Sequence, residues 1–291
     1  MFKLTRYVGS RFPRFKKFMM PMWRLFTHTN WIARNTLTRH RPLIIPVAPG
    51  VSVLLHPIGQ IAEVMWWSGD FEQNEREFLG LYIRPGMKVV NIGANIGLYA
   101  VIASSLVGAT GEVHAFEPSP QTFDWLNNNV DLNDCKNVRT LRLALSDKKG
   151  KAMLRADPKN VHADGHRFVQ EIADVRGGML STDEVVECGT LDEYMQSLSG
   201  SEISPIDVMI IDVEGAELSV LRGGLQAMLA SPNLLLLLEC TVNHDEVERM
   251  LVDLEFEFFT WDIKNKILQP ALFKDAALVG DVIAKRGNIV F

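Results

Sequence analysis

Apolar positions along the chain change period at intervals, and those changes predict alternating strands and helices. Lys88–Ile92 (KVVNI) and Glu112–Phe116 (EVHAF) are short β-rich runs, and Asn95–Leu106 between them has helical spacing. Gly93 and Gly97 fall where the first run must turn sharply into that helix, and Asn95 is placed to cap it. A helical pattern then covers Pro120–Leu132, and a strand pattern Asn137–Leu145. Thr190 and Glu193 have the spacing of a capping box at the start of another helix. Ile206–Ile211 and Leu234–Leu238 are continuously apolar, as strands covered on both faces are, and helices over Ala216–Leu229 and Asp245–Leu254 follow them. Glu255–Thr260 and Ala277–Ala284 read as a closing antiparallel pair joined by Trp261–Phe273. The fold class is α/β, a Rossmann-like, mostly parallel sheet with helices on both faces.

Three regions depart from this alternation. Residues 42–67 have the texture of short strands broken by Pro and Gly (PLIIPVAPG, VSVLLHPIG, IAEVMWW), read as a small β-hairpin. Gly69, Asp70, Phe71, Glu72 and Glu75 lead into a helix ending near Tyr82, a lid or side wall beside the ligand site. Lys148–Gly189 reads as a long loop with Val185–Glu187 as a returning strand, and such loops often select substrate. His162 and His166 within it are four apart but separated by Gly165, and solvated histidines are favoured over a metal pair. The expected organisation is a basic amphipathic arm over 1–41, a small β/helical lead-in over 42–84 and the main domain over 85–291.

Charge sharpens that division. The chain of 291 residues has a net charge of −5, yet ten of its 30 Lys and Arg lie in residues 1–41 with no acid among them. The remaining 20 basic residues stand against all 35 acids. Phe12, Phe15, Phe18, Met19, Met22, Trp23 and Phe26 form one helical stripe in the arm, with Pro13 suiting a first turn and Pro21 a kink. The stripe suits an anionic membrane surface, an acidic protein, the body of the protein itself, or a second subunit in a homo-oligomer. No nucleic-acid module is recognisable and the rest of the chain is acidic, which excludes nucleic acid as the expected partner. No run approaches a membrane-spanning length. Cys135, Cys188 and Cys240 stand far apart, which favours a reducing, cytoplasmic setting, with the inner face of the membrane as the arm's alternative.

The candidate chemistry collects at strand ends, where open α/β sheets bind ligands. Glu117 lies about twenty residues past the glycine turn, the place from which an acid accepts hydrogen bonds from a ribose diol. Asp212 and Glu214 follow one buried strand and Glu239 the next; Ser146 and Asp147 sit at a third tip, in position to meet an adenine. A dinucleotide fingerprint fails because Asn95 stands where its middle glycine belongs. The spacing N-x-G-x-N-x-G instead resembles the first motif of class I methyltransferases, whose cofactor, S-adenosylmethionine, has no phosphate.

Six segments in order, VVNIGANIGLY, HAFEPSP, ALSDKKG, GTLDEYM, IIDVEGAELSVLRG and LLLLLEC, make the chain resemble the FkbM-type branch of those methyltransferases over roughly Phe71–His244. The resemblance implies a seven-stranded sheet, S-adenosylmethionine as cofactor and O-methylation of a hydroxyl on a sugar, glycan or natural product. It carries Asn91, Gly93, Ala94, Asn95, Gly97, Glu117, Pro118, Ser146, Asp147 and Asp212 over as cofactor-binding positions. Two positions depart from the family pattern: an acid is usual where Asn91 stands, and a lysine where Ile210 stands.

Methyl transfer is an in-line displacement that mostly requires alignment, and a neutral hydroxyl needs a nearby base. Asp212 leads the base candidates, followed by Glu239 and Glu214. A divalent ion held by Asp212 and its neighbours is an open alternative, but it is not predicted. A lipid-linked acceptor would give the arm a purpose. The rival from another class is a non-catalytic scaffold of glycan assembly, in which Asn91 and Ile210 mark lost activity.

Overall fold

The computed structural model describes residues 31–291 apart from 32, 39–40, 69–70, 157–165, 172–182, 201, 241, 280, 288 and 290–291. Residues 1–30 of the basic arm, and His162, lie outside the described residues. In chain order, β1 (Leu43–Ala48) and β2 (Val51–Leu55) form the expected hairpin, and α1 (Gln60–Ser68) and α2 (Gln73–Tyr82) follow. Next come β3 (Lys88–Ile92), α3 (Leu98–Val107), β4 (Glu112–Phe116), α4 (Pro120–Leu132) and β5 (Val138–Leu141). Short strands β6 (Ala144–Leu145), β7 (Gly150–Ala156), β8 (His166–Glu171) and β9 (Asp183–Gly189) precede α5 (Leu191–Ser199). The last third holds β10 (Val208–Ile211), α6 (Glu217–Gly223), α7 (Leu225–Leu229), β11 (Leu235–Leu238) and α8 (His244–Asp253). It closes with β12 (Glu257–Asp262), β13 (Ile267–Pro270), α9 (Phe273–Val279) and β14 (Val282–Lys285).

The main sheet runs β13-β12-β14-β11-β10-β3-β4-β5. The five strands from β11 to β5 are parallel, and β14 is antiparallel to β11. The chain leaves β3 toward β4 and β5 and later returns on the other side as β10 and β11. The order therefore switches between β3 and β10, and the crevice outside their carboxyl ends is where such sheets bind ligands. Alternation along β3 builds the two cores. Val90 and Ile92 pack with α5 to α9 on one face, and Val89 packs with α2, α3 and α4 on the other. A third cluster joins the hairpin, α1 and Trp31 to α3 and to Trp125 of α4.

Several expectations are corrected. IAEVMWW is not a strand: Ile61, Ala62 and Met65 share a buried helical face of α1, and burial at that spacing overrides β propensity. The Asn137–Leu145 run is cut in two, because β6 leaves the main sheet to pair with β9. Lys148–Gly189 holds a small antiparallel β7, β8 and β9 rather than only a loop. The helix over Ala216–Leu229 is divided at Gly223 and Gly224; a Cβ on Gly223 would lie 1.9 Å from the Ser146 carbonyl oxygen. The closing pair exists as β12 and β14, but β13 and α9 lie between them, which gives an eighth strand beyond the expected seven.

Candidate active site

The glycine turn is shaped by its neighbours. Gly93 has φ 78, and a Cβ there would lie 1.7 Å from the Asp212 carbonyl oxygen, so only glycine lets β3 and β10 leave the sheet side by side. The Gly93 and Ala94 amides donate to the Phe116 carbonyl at 2.9 and 2.8 Å, which ties the turn to the end of β4. Asn95 is not the helix cap: α3 begins at Leu98 with Gly97 at its cap, and Asn95 has φ 50. Its amide donates to Glu117 Oε2 at 2.8 Å instead. The other Glu117 oxygen accepts from the Ser119 amide at 3.0 Å and the Thr122 hydroxyl at 2.6 Å. Glu117 is 7 % exposed and is held by donors from the turn and from the start of α4.

Two adjoining cavities open at the switch point. The first is lined by Gly93, Asn95, Glu117, Pro118, Thr122, Asp212 and Glu214, with an apolar wall of Leu143, Ala144, Leu145 and Leu154. Its empty volume, open mouth included, is about 690 Å³. Ser119 Oγ donates to Glu184 of β9 at 2.9 Å, which ties the small sheet to the end of β4. The second cavity shares Gly93, Asn95, Asp212 and Glu214 with the first and adds Gln60, Ile61, Phe71, Glu72, Ala94, Tyr99 and Glu239. Asp212 and Glu239 reach it because their amides donate to the Ile92 and Ile211 carbonyls, both at 3.0 Å, continuing the ladders past the strand ends.

Of the residues expected at the site, Gly93, Ala94, Asn95, Glu117, Pro118, Asp212, Glu214 and Glu239 line one or both cavities. Gly97 lies behind the turn against Leu126. Ser146 is buried with its carbonyl against Gly223, and Asp147 is exposed; the lining here is the preceding segment, 143–145. Asn91 is fully buried on the α2–α4 side of the sheet, and neither of its amide atoms has a hydrogen-bond partner. Its register partner in β10 is Ile210, so the two departures from the family pattern are neighbours.

Carboxylates not expected as site residues also gather here, among them Glu72 of the expected side wall. Burial raises Glu72 to about 7, opposed by a hydrogen bond from Tyr99 and assisted by the charges of Glu75 and Glu239. Burial, then Glu75, Glu72 and Glu239, raises Asp281 to about 8. Asp212 is held well above the usual carboxylate range by burial, then by Glu239, Glu72, Glu214 and Asp281. Asp281 was legible from topology: β14 runs antiparallel with Leu238 opposite Val282, so the residue before it sits beside Glu239. Among the described residues, no group of three or more His, Cys, Asp and Glu could hold a metal ion. No described helix is long and apolar enough to cross a membrane.

The hexuronic acid methyltransferase AglP of Haloferax volcanii is 28% identical over 225 residues, covering 76% of this chain and 84% of the relative. Methyltransferase sdnD of Sordaria araneosa is 31% identical over 156 residues, 46% of this chain and 59% of that one. A solved FkbM methyltransferase from Methylobacillus flagellatus aligns with a TM-score of 0.40 at 12% identity, covering 90% of this chain and 60% of that one. The family model described as the methyltransferase FkbM domain matches residues 91–265, more than half of the chain, including the end of β3 from Asn91, Glu117, Asp212 and Glu239. Matched by that model over more than half of its length, the chain belongs to the FkbM methyltransferase family and is dependent on S-adenosylmethionine.

Proposed function

We propose that the protein methylates a hydroxyl on a sugar, glycan or natural-product acceptor. The observation that carries this reading is the position of Asp212, which lines both cavities at their junction. When bound, S-adenosylmethionine supplies an electrophilic methyl group on a positively charged sulfur. The lining suits it chemically. Glu117 would take the ribose diol, Leu143–Leu145 and Leu154 would cover the adenine, and the Gly93–Gly97 backbone would run beneath the methionine end.

A carboxylate within reach of the acceptor hydroxyl receives its proton as the oxygen–methyl bond forms. Asp212 is the proposed base, and Glu239 and Glu214 orient the acceptor around it. In the protein alone, burial and its neighbours press Asp212 toward the protonated form. A cation at the junction favours ionisation, so the base is prepared by the partner it serves. A sugar-type acceptor is supported by the name of the haloarchaeal relative and by the amide and carboxylate groups around the second cavity.

Asp212→Asn keeps the shape of the site and removes the base. Methyl transfer from labelled S-adenosylmethionine should fall about a hundredfold or more, while calorimetry finds cofactor binding within a few-fold of the parent. Undiminished turnover would remove Asp212 from the mechanism.

A further inference from the structure

The second cavity is closed by residues outside the family domain, which spans 91–265. Gln60 and Ile61 come from α1, and Phe71 and Glu72 from the segment just before α2. By local rules Glu72 is out of place. It occupies the cap position of α2 with φ 49 and ψ 48, left-handed backbone that favours glycine or asparagine, and its side chain makes no capping hydrogen bond. Its carboxylate lines the cavity instead and takes a hydrogen bond from the Tyr99 hydroxyl. Arg76, one turn along α2, locks the bend by donating to the Phe71 carbonyl at 2.9 Å and the Val47 carbonyl at 2.8 Å. A strained residue fixed by its neighbours, with its side chain in a cavity that shares Asp212 with the cofactor pocket, is not explained by stability.

We propose that Glu72 is an acceptor-binding residue, which accepts a hydrogen bond from a hydroxyl of a neutral acceptor and disfavours acceptors bearing a carboxylate there. This rests on the methyl-transfer reading above and adds the acceptor's chemical class. The remaining walls suit a neutral hydroxyl-bearing ring: Ile61 and Phe71 are apolar, and Gln60 offers an amide. Among the described residues no basic side chain lines the cavity, so an acceptor carboxylate would meet Glu72, Glu239 and Asp212 without a counter-charge. In the reaction the acceptor oxygen bonds to the methyl carbon as the carbon–sulfur bond breaks. The bonding pair goes to sulfur and the hydroxyl proton to Asp212, while Glu72 holds an adjoining hydroxyl and takes no proton.

The experiment measures transfer of labelled methyl from S-adenosylmethionine by the full chain to two probe sets, neutral methyl hexopyranosides and the matching hexuronic acids. Glu72→Gly suits the left-handed backbone, so it should melt no lower than the parent and still bind S-adenosylmethionine. Its KM for the neutral probes should nevertheless rise about tenfold or more, with a smaller change in kcat. Glu72→Gln, which removes the charge alone, should shift the preference about tenfold toward the uronic acids. An unchanged KM in Glu72→Gly, a parent enzyme that prefers the uronic acids, or transfer to neither set by a protein that binds the cofactor would each overturn the proposal. Failure of the folded parent to bind S-adenosylmethionine would overturn the methyl-transfer reading, and this inference with it.

Discussion

Asn91 and Ile210 face each other across the β3–β10 ladder at 0% and 2% exposure. The family pattern implies an acid and a lysine at these two places, and this chain has neither. A carboxylate at 91 opposite Ile210 would be a buried charge without a partner, and a lysine at 210 opposite Asn91 would be another; the neutral pair avoids both. Neither residue lines either of the two site cavities, so the exchange alters the sheet interior and leaves the carboxylates at the strand tips in place. Asn91→Asp alone should cost about 3–5 kcal/mol of stability, and adding Ile210→Lys should recover a large part of it. Urea unfolding of the four proteins of that cycle measures the coupling, and strictly additive losses would show that the two positions act independently.

At the scale of elements, much of the sheet and its ligand-facing tips could be read from the chain. β3, β4 and α4 fall where apolar period, glycine and proline put them, because both faces of the sheet are buried and the pattern has no competing use. The misreadings share one cause, tertiary contact overriding local pattern. Ile61, Ala62 and Met65 fold as a helix because the hairpin and α3 offer that face a core. Asn95 does not cap because α3 starts only at Leu98, with Gly97 at its cap, and the Asn95 backbone N–H is tied to Glu117, 22 residues away. Glu72 was legible as part of a side wall beside the site, but nothing local announces that its own side chain lines the cavity. Asn129 shows how such contacts hold the lead-in down: buried in α4, it donates to the Leu54 and Ile96 carbonyls and accepts from the Leu54 amide. Asn129→Ala strands those backbone groups and should lower stability by about 1–3 kcal/mol in chemical unfolding, with no loss if the hairpin is merely tethered.

For the whole molecule, buried charge sets the response to pH. Glu72 and Asp281 sit at about 7 and about 8, above the ordinary carboxylate range, and Asp212 is raised as well. The folded, cofactor-free protein therefore holds protons that the unfolded chain has lost, so its stability falls as pH rises from the ordinary carboxylate range through about 7 to 8. A cationic cofactor favours the ionised forms, so its binding releases protons and tightens over the same window. Melting curves from pH 5 to pH 9, with and without S-adenosylmethionine, should show the cofactor's stabilisation growing with pH; a flat difference would contradict the linkage. The most direct test of the central claim is calorimetric titration of S-adenosylmethionine into the protein and into Glu117→Ala, with NAD as control. The expected result is micromolar binding of S-adenosylmethionine alone, weakened at least about tenfold in the variant. Binding that survives the loss of Glu117 undiminished, or a folded protein that binds neither nucleotide, would contradict it.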